Sequence, residues 1–140
     1  HFYPKARSSA GALGLMQIMP RTAKLIARKY KIPHAPSRLT EAGYNIKLGS
    51  LYMEEMIARF QGSYMLAAAG YNAGPNRPAK WEKLYGVPGN NLYQTLNWME
   101  MMPFEETRNY VQRVMENHQV YRARLAGGKV KLTAEKTLLR

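Results

Sequence analysis

The sequence has no cysteine and no aspartate. Without cysteine there is neither a disulfide framework nor thiol chemistry. Without aspartate, every acid is a glutamate. The three histidines, His1, His34 and His118, show no metal-ligand spacing, so no metal site is expected. Acids are scarce altogether: 9 against 21 lysines and arginines, a formal net charge of +12. No apolar run approaches the roughly 20 residues of a membrane span, so no transmembrane segment is expected. "GALGLM" lacks the lysine and the strand–loop–helix setting of a phosphate loop. No serine sits in a nucleophile-elbow pattern. An initiating methionine and a leader are missing too, so a chain that starts at His1 is expected to be processed, truncated or a fragment.

What remains is enough for one domain. The chain has 140 residues, 46% of them hydrophobic, which excludes disorder as the main state. The charge favours polyanionic partners: nucleic acid, an acidic membrane surface or an acidic cell-wall polymer. A solvated basic face explains it equally well. The densest patch, Arg21, Lys24, Arg28, Lys29 and Lys31, has the spacing of the outer face of a helix.

The apolar pattern is helical throughout. A helix is expected from Pro20, where the missing N–H costs nothing, with Leu25, Ile26 and Tyr30 inward; it ends before "KIPHAPS". Tyr44, Leu48, Leu51, Tyr52, Met56 and Phe60 make the stripe of a second helix that stops at Gly62. Ser63 caps a third, "YMLAAAGYNAGP", whose alanines suit a buried central position. A short helix and a turn follow in "NRPAKWEKLYGVPGNN", then a short helix ending before Pro103. A long helix runs from about Phe104 to Leu125 with the stripe Val111, Val114, His118, Tyr121 and Leu125. His118 reads as a core histidine. The expected fold is all-α (mainly α), a compact single helical domain over residues 1–125, with a basic tail over 126–140.

Only carboxylates are left for chemistry. Glu41, Glu54, Glu55 and Glu82 read as solvated or capping groups, and Glu105 and Glu106 suit the first turn of the long helix. Glu100 differs. It lies in "WMEMMPF", between an indole and methionines, where a carboxylate is either paired, for instance with Arg108, or has a task.

Three stretches, "YPKARSSAGALGLMQIMPRTA", "AAAGYNAGP" and "MEMMPFEETRNYVQRV", resemble the successive motifs of the soluble lytic transglycosylases, lysozyme-like enzymes that cut peptidoglycan. The resemblance implies a goose-type-lysozyme-like helical fold. It implies work on peptidoglycan glycan strands in the periplasm or cell envelope, with no cofactor or metal and no nucleic acid as partner. It also implies cleavage of the β-1,4 bond between N-acetylmuramic acid (MurNAc) and N-acetylglucosamine (GlcNAc). One glutamate would act first as acid and then as base, and the sugar's own C6 hydroxyl would close a 1,6-anhydroMurNAc end.

That family's acid lies in a Glu-Ser pair, and "HFYP" matches what directly follows it. The resemblance thus places the acid just ahead of His1, and the chain alone is expected to be inactive. By motif, Ser8 supports the acid, and Gln17 and Met19 line the sugar groove, with Gly11 and Gly14 permitting close backbone approach. Tyr71 and Asn72 face the scissile bond, Glu100 is the acidic residue of the third motif, and Tyr121 reaches toward the acid. The alternatives are a non-catalytic peptidoglycan-binding lysozyme-like module and a basic nucleic-acid-binding helical protein. The second of these lacks a recognisable binding motif.

Overall fold

A computed structural model describes residues 3–88 and 91–127. It contains six α-helices among those residues: α1 (Pro20–Lys29), α2 (Ala42–Arg59), α3 (Tyr64–Ala73), α4 (Asn76–Tyr85), α5 (Leu92–Glu100) and α6 (Glu105–Leu125). The all-α expectation holds, and each expected helix forms. A short 3-10 turn over Pro36–Thr40 was not foreseen. The basic tail lies, from residue 128 on, outside the described residues. The chain divides into two compact units, the first ending at Glu55 and the second beginning at Met56.

The first unit is built on one apolar cluster: Ile18, Ala23, Ile26, Ala27, Leu39, Tyr44 and Leu48. Burying a side chain the size of Leu or Ile stabilises by about 1.5–3 kcal/mol, so this cluster is what holds the unit together. Pro20 opens α1 as expected, with Met19 extended at the N-cap. The inward face of α1 needs correcting. Ala23, Ile26 and Ala27 are buried, whereas Leu25 is 58% and Tyr30 40% exposed. Positions 23, 26 and 27 share one face at i, i+3 and i+4, and Leu25 is turned a further 100° from Ile26. Small alanines on that face let α1 sit close to its neighbours.

In the second unit α3 is the central helix, as its composition suggested. Every residue from Met65 to Gly70 is buried. Ser63 caps it, its hydroxyl accepting the Leu66 N–H at 3.3 Å. Helix α3 packs against α4 and α6. The stripe of α6 also needs correcting. Thr107, Val111 and Met115 are its buried residues, while Tyr121 is 50% and Leu125 88% exposed. The reason is length: α6 has 21 residues and α3 has 10, so at ~1.5 Å per residue α6 is about twice as long as the helix it packs on. His118 is half-buried, its ring edge-on to Tyr64.

Candidate functional site

Ser8, Gln17 and Met19 lie in the first unit, on the loop that leads into α1. The loop is folded back on itself without a strand. Leu13 and Ile18 exchange backbone hydrogen bonds at 3.0 and 3.1 Å, and the Gly14 N–H donates to the Ala6 carbonyl at 2.9 Å. Ser8 closes the turn between: its hydroxyl oxygen accepts the Ala12 N–H at 3.0 Å. The Ser8 hydroxyl proton remains available to a carboxylate or a sugar oxygen.

Gln17 is held more tightly than its motif role requires. Its Nε2 donates to the Gly14 carbonyl at 2.8 Å and to the Ala6 carbonyl at 3.3 Å. Its backbone is left-handed, φ 50°, an uncommon conformation for a residue with a side chain. With the amide nitrogen committed, the amide oxygen is what Gln17 offers a ligand. Met19 is 41% exposed at the N-cap of α1, its thioether accessible for packing on a sugar face.

The residue that fixes this loop was missed. Asn45 of α2 has no exposed surface. Its Oδ1 accepts the Met16 N–H at 2.8 Å, and its Nδ2 donates to the carbonyls of Leu13 at 2.9 Å and Leu39 at 2.8 Å. A buried amide is stable only when so satisfied. The signal was present in "YNIKLG": Asn45 is three residues before buried Leu48, hence on the core side of α2. Gly14 makes the approach possible. Its φ is +76°, and a Cβ there would run into the Asn45 side chain and the Leu39 carbonyl. Gly11 differs from expectation: it needs glycine for its φ of +91°, but nothing stands within 4 Å of a Cβ there.

Tyr71, Asn72, Glu100 and Tyr121 belong to the second unit. Tyr71 and Asn72 sit in the last turn of α3. Asn72 is oriented by α6, since the buried Thr107 hydroxyl donates to its Oδ1 at 2.8 Å. That leaves the Asn72 amide N–H groups to donate elsewhere. Tyr110, three residues on along α6, is half-buried, and burial pushes its hydroxyl above the ordinary tyrosine value. The sequence reading had not singled out Thr107 or Tyr110.

Glu100 is the main correction to the carboxylate analysis. Trp98, Met99 and Met102 are buried, but Glu100 is exposed at the end of α5. Neighbours in a helix point 100° apart, so an apolar flank in sequence does not surround the carboxylate. The expected partner Arg108 is present but bonds backbone instead, donating to the carbonyls of Glu100 at 3.2 Å and Met102 at 3.3 Å. Glu100 lines a cleft of about 210 Å³ whose walls include Leu96, Met99, Met115 and Glu116. Tyr121 stands exposed on the outer part of α6. Among the described residues no group of histidines and acids converges as a metal site would need.

Comparison with known families and structures matches these segments. The model described as the transglycosylase SLT domain matches residues 1–94, and that of the soluble lytic transglycosylase helical domain matches 102–130. The chain is 37% identical over 121 residues to the soluble lytic murein transglycosylase of Salmonella typhimurium, covering 85% of this chain and 18% of that protein. It is similar to an inactive Glu-to-Gln mutant of the lytic transglycosylase Slt from Pseudomonas aeruginosa, with TM-score 0.78 and 40% identity, over 89% of this chain and 20% of that one. It is also similar to the 70 kDa soluble lytic transglycosylase of Escherichia coli, with TM-score 0.82 and 32% identity, over 96% and 21%. The chain thus spans about one-fifth of the length of the relatives it matches.

Proposed function

The chain belongs to the soluble lytic transglycosylase family, and from that membership we propose that residues 1–125 contribute the sugar-binding and acid-supporting part of a domain that cleaves peptidoglycan. The bond cut is the β-1,4 link from MurNAc to GlcNAc, and the product ends in 1,6-anhydroMurNAc. In the proposed reaction a glutamic acid protonates the leaving GlcNAc oxygen as the bond to MurNAc C1 breaks. The same group then takes the proton of the C6 hydroxyl as its oxygen closes on C1. No glutamate of this chain stands in the family's Glu-Ser motif; the acid is proposed to precede His1. The place of action is proposed to be the bacterial cell envelope.

The observation that carries the reading is the loop over residues 6–19. Its backbone is fixed by a fully satisfied buried amide, Asn45, while Ser8, Gln17 and Met19 keep accessible groups of the kinds a sugar and an acid require. A rigid loop with free polar and thioether tips suits pre-organised binding. Ser8 would hydrogen-bond the acid, Gln17 would accept from an N-acetyl N–H, and Asn72 would donate to a sugar oxygen. Glu100 and Tyr121 are proposed as supporting residues of the same domain.

The test joins the chain to the Glu-Ser segment of one of its relatives and digests purified peptidoglycan. Mass spectrometry should find anhydro ends, formed equally in EDTA. Hydrolysed reducing ends would overturn the transglycosylase reading. Glycan binding with no cleavage by the joined protein would favour the non-catalytic module instead.

A further inference from the structure

The outer face of α1 carries a compact basic surface that the motif residues do not use. The helix has 10 residues, a length of about 15 Å. Its buried residues Ala23, Ile26 and Ala27 fix the side that meets the core. At about 100° per residue, Arg21, Leu25 and Arg28 lie on the opposite side, with Lys24 and Lys29 on the two flanks. All four cations are exposed, and Leu25 between them is 58% exposed. An apolar side chain thus stands at the crest of a charged face. Lys29 is paired with Glu55 at 2.7 Å. Among the described residues no acid forms an ion pair with Arg21, Lys24 or Arg28. Lys24 stands one turn from Arg21 and one turn from Arg28, so like charges repel along the helix. The first turn of α1 holds no acid, and the helix dipole disfavours Arg21 there. An anionic partner relieves both repulsions.

We propose that this face docks the chain on a membrane surface rich in anionic lipids. Arg21, Lys24 and Arg28 meet the lipid phosphates, and Leu25 enters the layer just beneath them. Charge complementarity selects an anionic partner, and Leu25 selects a bilayer among anionic partners. A soluble polyanion uses the cations and leaves Leu25 in water. A bilayer presents phosphates above an apolar layer and takes both. With its other side packed on the core, α1 lies flat on the surface and enters it only by the tip of Leu25. The inference goes beyond the peptidoglycan reading and does not depend on it.

The 140-residue chain is co-sedimented with vesicles of neutral phosphatidylcholine and with vesicles of phosphatidylcholine mixed with phosphatidylglycerol. The salt is held at roughly 0.1 M, where exposed charges still act over about 10 Å. Only the anionic vesicles should bind. Each cation at an anionic surface strengthens binding about fivefold, so the combined Arg21→Gln, Lys24→Gln and Arg28→Gln variant should bind on the order of a hundredfold more weakly. The same loss of charge at exposed Lys80, Lys83 and Arg113 should cost far less. Leu25→Ser should weaken binding about tenfold with the charge unchanged. Leu25→Trp should shift its emission to the blue on anionic vesicles, against a steady background from the buried Trp81 and Trp98. A thermal melt of each variant checks folding. Equal sedimentation with both vesicle types or with neither, equal losses in the two triple variants, or an unshifted emission of Leu25→Trp would overturn the proposal. Inorganic polyphosphate binding through the same three cations, with Leu25→Ser without effect on vesicle binding, would overturn it in favour of a soluble polyanion site.

Discussion

Asn45 Oδ1 accepts the Met16 backbone N–H at 2.8 Å, a hydrogen bond that joins α2 to a loop 29 residues earlier. The same side chain satisfies the Leu13 and Leu39 carbonyls. The Leu13 carbonyl also accepts the Ile18 N–H, so the amide is most needed by the Met16 N–H and the Leu39 carbonyl. Asn45→Ala is expected to destabilise by about 3 kcal/mol, since each polar group stranded in the interior costs ~1–3 kcal/mol. Asn45→Asp keeps the acceptor for Met16 but points an acceptor at two carbonyls. Its loss should be at least as large at neutral pH and smaller in acid, where a protonated carboxyl can donate one hydrogen bond. Denaturant unfolding at two pH values checks this. A midpoint unchanged in either variant would show that the loop is held by something else.

Gly11 and Gly14 separate two reasons for glycine. Both have positive φ, so alanine strains each backbone by roughly 1 kcal/mol. Only at Gly14 does a Cβ also strike Asn45 and Leu39. Gly14→Ala should cost about 3 kcal/mol or more and Gly11→Ala about 1 kcal/mol, because overpacking adds to the strain. Equal losses in thermal or chemical melts would contradict the close approach.

The helices were legible because their apolar periodicity is strong and their stops are prolines and glycines. The third helix was legible as central because it is apolar all round. The inward face of α1 was misread because Ala23 and Ala27, weak as hydrophobic signals, outrank Leu25 once the helix must sit close to its neighbours. Tyr121 and Leu125 continue a stripe in sequence, but α6 outruns the helix it packs on, a tertiary fact that no periodicity contains. The motif residues were legible only through family resemblance. Of their supports, Asn45 shows in sequence only as a polar residue on the core side of α2, and the partners it reaches, Met16 and Leu13, are 29 and 32 residues away. Thr107 acts through one hydrogen bond to Asn72, 35 residues away, which sequence spacing does not encode.

Alkaline pH should weaken the fold through Tyr110 and Lys29. Burial makes the Tyr110 hydroxyl harder to ionise folded than unfolded. Its contribution is therefore fully present below the ordinary value of 10.0 and is lost as pH rises above it. Lys29 is raised chiefly by its hydrogen bond to Glu55, at 2.7 Å, so its stabilisation likewise fades above 10.5. Tyr110→Phe should flatten part of the stability loss in this alkaline window, and phenolate absorbance should show one late-titrating tyrosine fewer. An unchanged alkaline limb would rule out Tyr110 as the source.

Glu100 offers the sharpest separation of site role from surface decoration. It is the last residue of α5, exposed, where the carbonyl end of the helix disfavours negative charge. Arg108, donating to the Glu100 carbonyl, offsets part of that cost. Glu100→Gln keeps the shape and removes the charge, so stability should stay level or rise by about 0.5 kcal/mol. The role proposed for Glu100 is on a ligand and not on the fold. In the chain joined to a relative's Glu-Ser segment, Glu100→Gln should lower peptidoglycan cleavage by roughly tenfold or more, about 1.4 kcal/mol on the barrier. A melt and a digestion rate from one preparation decide between the roles. Cleavage per folded molecule equal to that of the unsubstituted protein would remove Glu100 from the site and leave it a surface charge.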